Sequence, residues 1–388
     1  MDKIKIGYIG NTYAERRNII DKVNVSYSYT PSARYINKIS KYLRIIEKLD
    51  VIYKDISLFH YFNKVSFGSK PWVSTFETII PRYMKALSCH HGKNPSYAEI
   101  SNDKDILFAL DAIAGENCRK LISLSECNLN IQKYFLSFFD PIYSKSIIPK
   151  MIVITPPQNL NIKNWEEKNI NLNGELTFTF IGRDFAQKGG CNILRVFTRL
   201  KKYYPIKLII ISSLNVSNYV VGENEDDINR VREIIQDNKD WVEFYSSLPN
   251  NEVIEIMKRS HIGLLPTWAD TFGYSVLEFQ SCGCPVITTD VRALPEINND
   301  ERGWVISVPK NVLGEGIYLT NDERQAMSDT IDDGLYKVIK NIFHNRTSLL
   351  EKAKMSILNI EINHSESIFS DKLKEIYFEA LCNPLIQK

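Results

Sequence analysis

Two carboxylates and two cations mark the chemistry this chain could perform. Asp270 and Glu278 stand eight positions apart in the stretch 266–295, PTWADTFGYSVLEFQSCGCPVITTDVRALP. Arg183 and Lys188 stand five apart in a second stretch, 174–190, GELTFTFIGRDFAQKGG. A carboxylate inside an otherwise apolar helical pattern needs a partner wherever it is buried. Cations in a glycine-bearing loop can offset phosphate charge, and arginine can grip two phosphate oxygens at once. The backbone N–H groups at a helix start add an anion cradle. Cations for a diphosphate beside carboxylates for hydroxyls suit a sugar nucleotide.

These residues need strands and helices to hold them. An apolar run ending at Leu265 reads as a buried strand, followed by a loop carrying Asp270 and a helix over 274–282. Gly283 suits the helix stop, Pro285 lies just beyond, and 284–289 is the next strand. Upstream, 176–181 is a strand closed by Gly182, and Gly189-Gly190 leads into a helix over 192–201. Strands over 206–212, 242–245 and 304–308 alternate with helices over 226–237, 251–259 and 329–343. The first part of the chain repeats the pattern. Strands are expected over 4–9, within 51–62, and over 71–76 and 121–124; helices are expected over 34–49, 102–114 and 128–139. This alternation predicts an α/β protein of doubly wound type. A strand over 151–154 runs into prolines 156 and 157 and an Asn-rich stretch, which mark a linker over 151–174. It divides an N-terminal domain, 1–150, from a C-terminal one, 175–360, and a tail helix occupies 361–388.

Bulk properties exclude several classes. A chain of 388 residues, 44% hydrophobic and 24% charged, suits a soluble globular protein with two cores. No apolar run approaches a membrane span. MDKIKIGYIG reads as a strand rather than a signal peptide, so cytoplasmic residence is the expectation. Seven scattered cysteines argue for reduced thiols, and Cys282 and Cys284 lack the second pair that a metal site needs. Residues 1–170 carry 24 basic and 16 acidic side chains, net +8, while the remainder is net −6. A basic first half suits an anionic acceptor or peripheral contact with the inner face of a membrane. Nucleic acid is not an expected partner, because no basic motif is interleaved with the aromatic residues.

The 266–295 stretch resembles the signature of the GT-B retaining glycosyltransferases known as glycosyl transferases group 1, or family 4-like. That family carries Glu, seven residues, then Glu, with Phe-Gly two residues after the first acid, a Cys-Gly-x-Pro-Val strand and a Pro-Glu. Asp270, Phe272, Gly273, Glu278, the run from Cys282 to Val286, and Pro295-Glu296 match in order. Asp270 is one methylene shorter than the family's Glu. The resemblance implies two Rossmann-like domains facing across a cleft. It implies transfer of a hexosyl group, with retention, from a nucleotide diphosphate sugar to a glycan, lipid-linked or other acceptor. Surface polysaccharide or glycoconjugate synthesis is the implied setting. Arg183 and Lys188 would contact the diphosphate together with the amides around Phe272, Gly273 and Tyr274. Glu278 would hold the ribose and Asp270 the transferred sugar. Gly182 would line the donor loop, the backbone near Leu248 the base, and Gly10 the first-domain loop beside the sugar. Neither metal nor cofactor is expected.

Other residues admit structural readings. Relatives carry a His-Asp pair where this chain has Phe76 and Glu77, so Glu77 reads either as an acceptor or sugar contact or as a surface carboxylate. His60 lies on a strand, where a histidine commonly belongs to the core. His90 and His91 are adjacent and are expected to point apart. Asp103-x-Asp105 starts a helix rather than ending a strand, which opposes a metal–nucleotide role. A GT-B nucleotide-sugar epimerase and a non-enzymatic sugar-nucleotide sensor remain open as alternatives.

Overall fold

Runs such as LTFTFI and IKLIII lack polar alternation because both of their faces are covered, which is the mark of parallel sheets. A computed structural model describes residues 4–30, 55–215, 220 and 225–382. The helix expected over 34–49 lies outside the described residues. Their contacts divide the chain into two units. The first comprises Met1–Cys89, Ser96–Pro157 and His364–Lys388; the second comprises His90–Pro95 and Gln158–Asn363.

The first unit runs β1 (Lys5–Tyr8), α1 (Tyr13–Asn18), β2 (Ser26–Tyr29), β3 (Leu58–Phe62), β4 (Trp72–Phe76), α2 (Met84–Leu87) and α3 (Lys104–Ala114). It continues through β5 (Cys118–Ser123), α4 (Glu126–Leu136), α5 (Pro141–Ile147) and β6 (Met151–Val153). Its six strands are all parallel, in the order β2-β1-β3-β4-β5-β6. Strand β2 and helices α1 and α5 had no distinct sequence signal, being short and polar or interrupted. Asp103 caps α3 by accepting the N–H groups of Asp105 and Ile106, and pairs with Lys85, so it acts as a helix cap.

The second unit runs β7 (Leu176–Ile181), α6 (Gly190–Leu200), β8 (Ile206–Ile211), α7 (Glu225–Asp237), β9 (Val242–Tyr245) and α8 (Asn250–Arg259). It continues through β10 (Ile262–Leu265), α9 (Tyr274–Ser281), β11 (Val286–Thr289), α10 (Leu294–Ile297), β12 (Gly303–Ile306), α11 (Asn321–His344) and α12 (Thr347–Asn363). The strand order is β12-β11-β10-β7-β8-β9, again all parallel. Strand order reverses between β7 and β10, and ligands of doubly wound sheets bind beyond the strand ends at such a switch point.

The stretch 151–174, read from sequence as a linker, is shared between the units. Residues 151–153 form β6 of the first sheet. Further on, the N–H groups of Asn161 and Ile162 donate to the Ser281 carbonyl at the end of α9, at 3.0 and 3.2 Å. The buried Lys168 ammonium donates to the carbonyls of Cys282 (2.7 Å) and Met257 (3.2 Å) and contacts Cys284 Sγ (3.2 Å). The polar residues of this stretch are thus hydrogen-bonding partners for one end of α9.

The tail helix α13 (Glu366–Cys382) packs Phe369, Leu373, Ile376 and Tyr377 on Ile6, Leu58, Val73 and Ile122 of the first sheet. Under it lies His60, fully buried, with Nδ1 2.8 Å from the Tyr377 hydroxyl and Nε2 2.8 Å from Thr75 Oγ1. Burial pushes the imidazole down to about 3. The folded state therefore holds His60 neutral, while an unfolded chain takes up a proton near the ordinary value of 6.5. Between those values the unfolded state binds more protons, so stability falls as pH drops from 6.5 toward 3. His60→Gln should lower the melting temperature at neutral pH, at a cost of roughly 1–3 kcal/mol for the broken buried network. The gap from the parent protein should narrow on acidification. A gap that stays constant in melts taken across that range would exclude His60 as a source of acid sensitivity.

Candidate functional site

The candidate residues of the second unit lie in two loops at the switch point. One loop follows β7 and leads into α6; the other follows β10 and leads into α9. Because β7 and β10 are paired (Ile262 with Phe178, Leu264 with Phe180), their following loops leave the sheet side by side. The loops are then joined by hydrogen bonds. The Trp268 N–H donates to the Gln187 carbonyl at 2.9 Å. Thr267 Oγ1 reaches the carbonyls of Ala269 (2.8 Å) and Gln187 (3.1 Å), and Gln187 Nε2 donates to the Ala269 carbonyl (3.1 Å). Trp268 Nε1 donates to Asn192 Oδ1 of α6 at 3.0 Å, and Thr289 Oγ1 at the end of β11 holds the Thr267 carbonyl at 2.6 Å.

Two glycines allow this approach. Gly189 has φ +83°, and a Cβ there would stand 2.1 Å from the Pro266 carbonyl oxygen. Gly273, the residue before α9, has φ +91°, and a Cβ would meet Leu294 Cδ2 at 2.5 Å. Both the left-handed backbone and the lack of room require glycine.

The result brings Lys188 to Asp270. The ammonium donates to Asp270 Oδ2 at 2.8 Å and to the Ala269 carbonyl at 3.1 Å. Both side chains are largely covered, at 18% and 16% exposure, which screens the pair less than a surface ion pair. Asp270 Oδ1 also accepts the Phe272 N–H at 3.3 Å. The carboxylate therefore neutralises the lysine and shapes the turn into α9. Phe272 is buried, with its ring 5.2 Å from that of Tyr274. Tyr274 opens α9, and Glu278 sits four residues on, along the same half-buried helix face. Gly273 offers the first turn of α9 no side-chain cap, which leaves that end suited to an anion.

Arg183 does not join the Lys188–Asp270 pair. Its side chain is 76% exposed and its recorded ion pair is with the neighbouring Asp184 at 3.7 Å. Gly182 closes β7 with its N–H on the Ile211 carbonyl, 3.1 Å away. Leu248 packs on Ile209, Ile211 and Ile256, so its side chain belongs to the core beyond β9.

In the first unit, Gly10 has φ +102°, and a Cβ would lie 2.2 Å from Glu15 Oε1. Glu15 is buried and accepts the Thr12 N–H at 3.0 Å, which ties the β1–α1 loop to its helix. Glu77 follows β4, pairs with Arg82 at 3.1 Å, and its N–H is held by Asn63 Oδ1 at 2.9 Å. His90 and His91 belong to the second unit. Their rings lie 4.9 Å apart, inclined by 58°, so they do not point apart as expected from alternation. Burial lowers the His90 imidazole to about 4. Among the described residues no group of three or more His, Cys, Asp or Glu is gathered as a metal site would require.

The sequence pattern of glycosyl transferases group 1 matches residues 161–328, which contain both loops. Residues 161–328 thus carry the pattern of that family. Among curated relatives, the gpi3 subunit of phosphatidylinositol N-acetylglucosaminyltransferase from Schizosaccharomyces pombe is 30% identical over 125 residues. These are 31% of this chain and 25% of the relative. The Staphylococcus aureus capsular polysaccharide biosynthesis glycosyltransferase CapM is 26% identical over 217 residues, 53% of this chain and 52% of its own. The chain thus spans a quarter to about half the length of the curated relatives it matches. Anabaena Alr3699/HepE, solved in complex with UDP, superposes with a TM-score of 0.64 at 10% identity, over 97% of this chain and 99% of its own. WaaG, a glycosyltransferase involved in lipopolysaccharide biosynthesis, gives 0.53 at 13% identity, over 90% and 86%. Those likenesses establish the fold as GT-B.

Sequence reasoning singled out Lys188 and Asp270 as candidates and missed the residues that join their loops. Gln187, Thr267, Trp268 and Asn192 have no period or motif of their own; only the polar residues crowded after an apolar strand hint at them. Gly189→Ala tests the joint. The added Cβ should force the loops apart and strain the backbone, costing on the order of 1–3 kcal/mol, and should lower the melting temperature. A variant that melts with the parent protein would show that the contact between Gly189 and Pro266 does not constrain the site.

Proposed function

We propose that this protein is a retaining hexosyltransferase. It moves a hexosyl group from a nucleoside diphosphate sugar to a glycan, glycolipid or other acceptor, in surface polysaccharide or glycoconjugate synthesis. One observation carries the reading: Lys188 and Asp270, from loops 82 positions apart, meet at 2.8 Å beside the start of α9. A cation and a helix N-terminus face a diphosphate; a carboxylate next to them faces sugar hydroxyls. The name of the capsular relative CapM and the HepE complexes with UDP and UDP-glucose support the same donor class.

In this reading the bond between the anomeric carbon and the diphosphate oxygen breaks, and the chemical burden is the leaving charge. Lys188 has three N–H donors, of which Ala269 and Asp270 take two, so one serves a phosphate oxygen. Arg183, exposed in its loop, turns onto the same diphosphate. The amides at the start of α9 complete the cradle. Glu278 holds the ribose hydroxyls and Asp270 those of the transferred sugar. The acceptor oxygen attacks the face that the diphosphate leaves, and its proton passes to the departing phosphate oxygen. Side-chain cations do the work a metal would otherwise do.

A panel of nucleotide sugars, scored by nucleoside diphosphate release, tests the activity. Arg183→Ala and Lys188→Ala should each lower turnover about 100-fold, since removing one transition-state donor costs about 3 kcal/mol. Activity should survive EDTA. Near-normal rates in both folded variants, or loss to EDTA restored by magnesium, would sink the mechanism.

Asp270 discriminates sugar contact from loop structure. Asp270→Asn should cut turnover strongly with nucleoside diphosphate affinity nearly intact, and Asp270→Glu should reorder the preferred donor sugars. A lowered melting temperature with unchanged donor kinetics would instead assign Asp270 to the loop alone.

The net +8 of residues 1–170 supports an anionic or lipid-linked acceptor met at the cytoplasmic face of a membrane. Flotation with anionic vesicles should show binding that weakens as salt shortens the screening length toward about 3 Å at 1 M. Absence of binding at low salt would leave a soluble acceptor.

A further inference from the structure

Asp270 lies in the loop 266–273, and two further segments of the second unit support that loop. Gly316 packs at Trp268, since a Cβ on Gly316 would stand 2.7 Å from the Trp268 carbonyl oxygen. Leu294, which opens α10, packs at Gly273, where a Cβ would meet its Cδ2 at 2.5 Å. The two contacts bracket Asp270 along the chain.

Arg292 joins the two supports. It stands two residues before Leu294. Its N–H donates to the Gly314 carbonyl at 2.8 Å, and its Nη1 donates to Glu315 Oε2 at 2.6 Å. Both side chains are buried, with 4% and 6% exposure. The loop that bears Glu315 is closed by an antiparallel bridge between Lys310 and Gly316. Asn311 shapes it from within, because its Oδ1 accepts the N–H groups of Leu313 (2.8 Å) and Glu315 (3.1 Å). Glu315 is therefore fixed immediately beside the residue that rests on Trp268.

Stability alone does not account for this pair. Arg292 has φ +53°, a left-handed backbone that glycine adopts more easily. Taking two charges out of water costs about as much as their attraction returns, and an apolar pair of similar volume often serves stability as well. Strain of this kind clusters at functional sites, where the surrounding structure holds it in place. What the ion pair adds is a directional link between α10 and the loop that rests on Trp268.

We propose that Arg292 and Glu315 are positioning residues of the candidate site. Their ion pair fixes the loop 266–273, so that Asp270 holds the Lys188 ammonium at one point against the donor diphosphate. The two residues act on the donor only through that loop. What Lys188 does there rests on the transfer reading given above; where it is held rests on the hydrogen bonds.

Two measurements on the full chain separate those grounds. The first needs no donor: the rate at which Lys188 is acetylated by an N-hydroxysuccinimide ester, followed by peptide mass spectrometry. Lys188 is largely covered in the parent protein, and Glu315→Gln and Arg292→Gly should each raise its rate severalfold. Exposed Lys202, beyond the end of α6, should react as before. The second is turnover of whichever donor the nucleotide-sugar panel identifies. Both variants should lower kcat on the order of 10- to 100-fold with the donor KM nearly unchanged, because misplacing a group by about 1 Å can cost about 100-fold. In an Asp270→Asn background the same changes should add little, since they act through Asp270. Glu315→Gln keeps the side-chain shape and Arg292→Gly relieves the backbone, so both should fold; melting curves check this. Arg292→Met combined with Glu315→Met removes both charges together and serves if a single variant does not fold. Faster acetylation of Lys188 in a protein that turns over no donor would uphold the positioning role and sink the transfer reading. Lys188 acetylation at the parent rate, an unchanged kcat, or equal losses with and without Asp270→Asn would overturn the proposal.

Discussion

The close approach of two loops is the constraint on which the second unit's site depends. Gly189 lies against the Pro266 carbonyl at a distance that no Cβ would tolerate. The main-chain and side-chain bonds from Gln187, Thr267 and Trp268 convert that approach into a fixed geometry. Lys188 and Asp270 meet because of it. Without the glycine the loops would separate, and Lys188 would be one flexible cation among many. Parallel pairing of β7 and β10 makes the approach available in the first place, since neighbouring parallel strands deliver the loops that follow them to the same edge of the sheet.

The charges at this site are balanced before any ligand arrives. Lys188 is held by a carboxylate and a carbonyl in a largely covered setting, which orients it. Arg183 is the opposite, exposed and loosely paired with Asp184. One cation is fixed in place and the other is free to adapt. Fixed positive charge thus lies at the Lys188–Asp270 pair, and the exposed guanidinium keeps a geometry that can grip two oxygens at once.

The polar residues away from this site serve packing. His60 is kept neutral between Tyr377 and Thr75, and it joins the tail helix to the first sheet. Lys168 donates to the Cys282 carbonyl at the end of α9 and to the Met257 carbonyl of α8, which ties those two helix ends together. These two buried groups are tolerated because each has partners, and such networks make the packing specific as well as stable.

The sequence by itself determined the alternation of strands and helices, the α/β class, and the identity of Arg183, Lys188, Asp270 and Glu278 as candidates. It could do so because strand burial and helix periodicity are local, and because the spacing around Asp270 and Glu278 is carried by consecutive residues. It could not show that Lys188 and Asp270 are partners, that Arg183 stands apart from them, that the stretch after Pro157 is hydrogen-bonded to the end of α9, or that His90 and His91 lie ring to ring. It also missed β2, α1, α5 and α12, whose patterns are short or weak. Those outcomes belong to tertiary structure because they depend on which strands pair and how closely loops approach. Residues 80 or more positions apart leave no spacing signal in one chain, and only the folded sheet brings them within hydrogen-bonding distance.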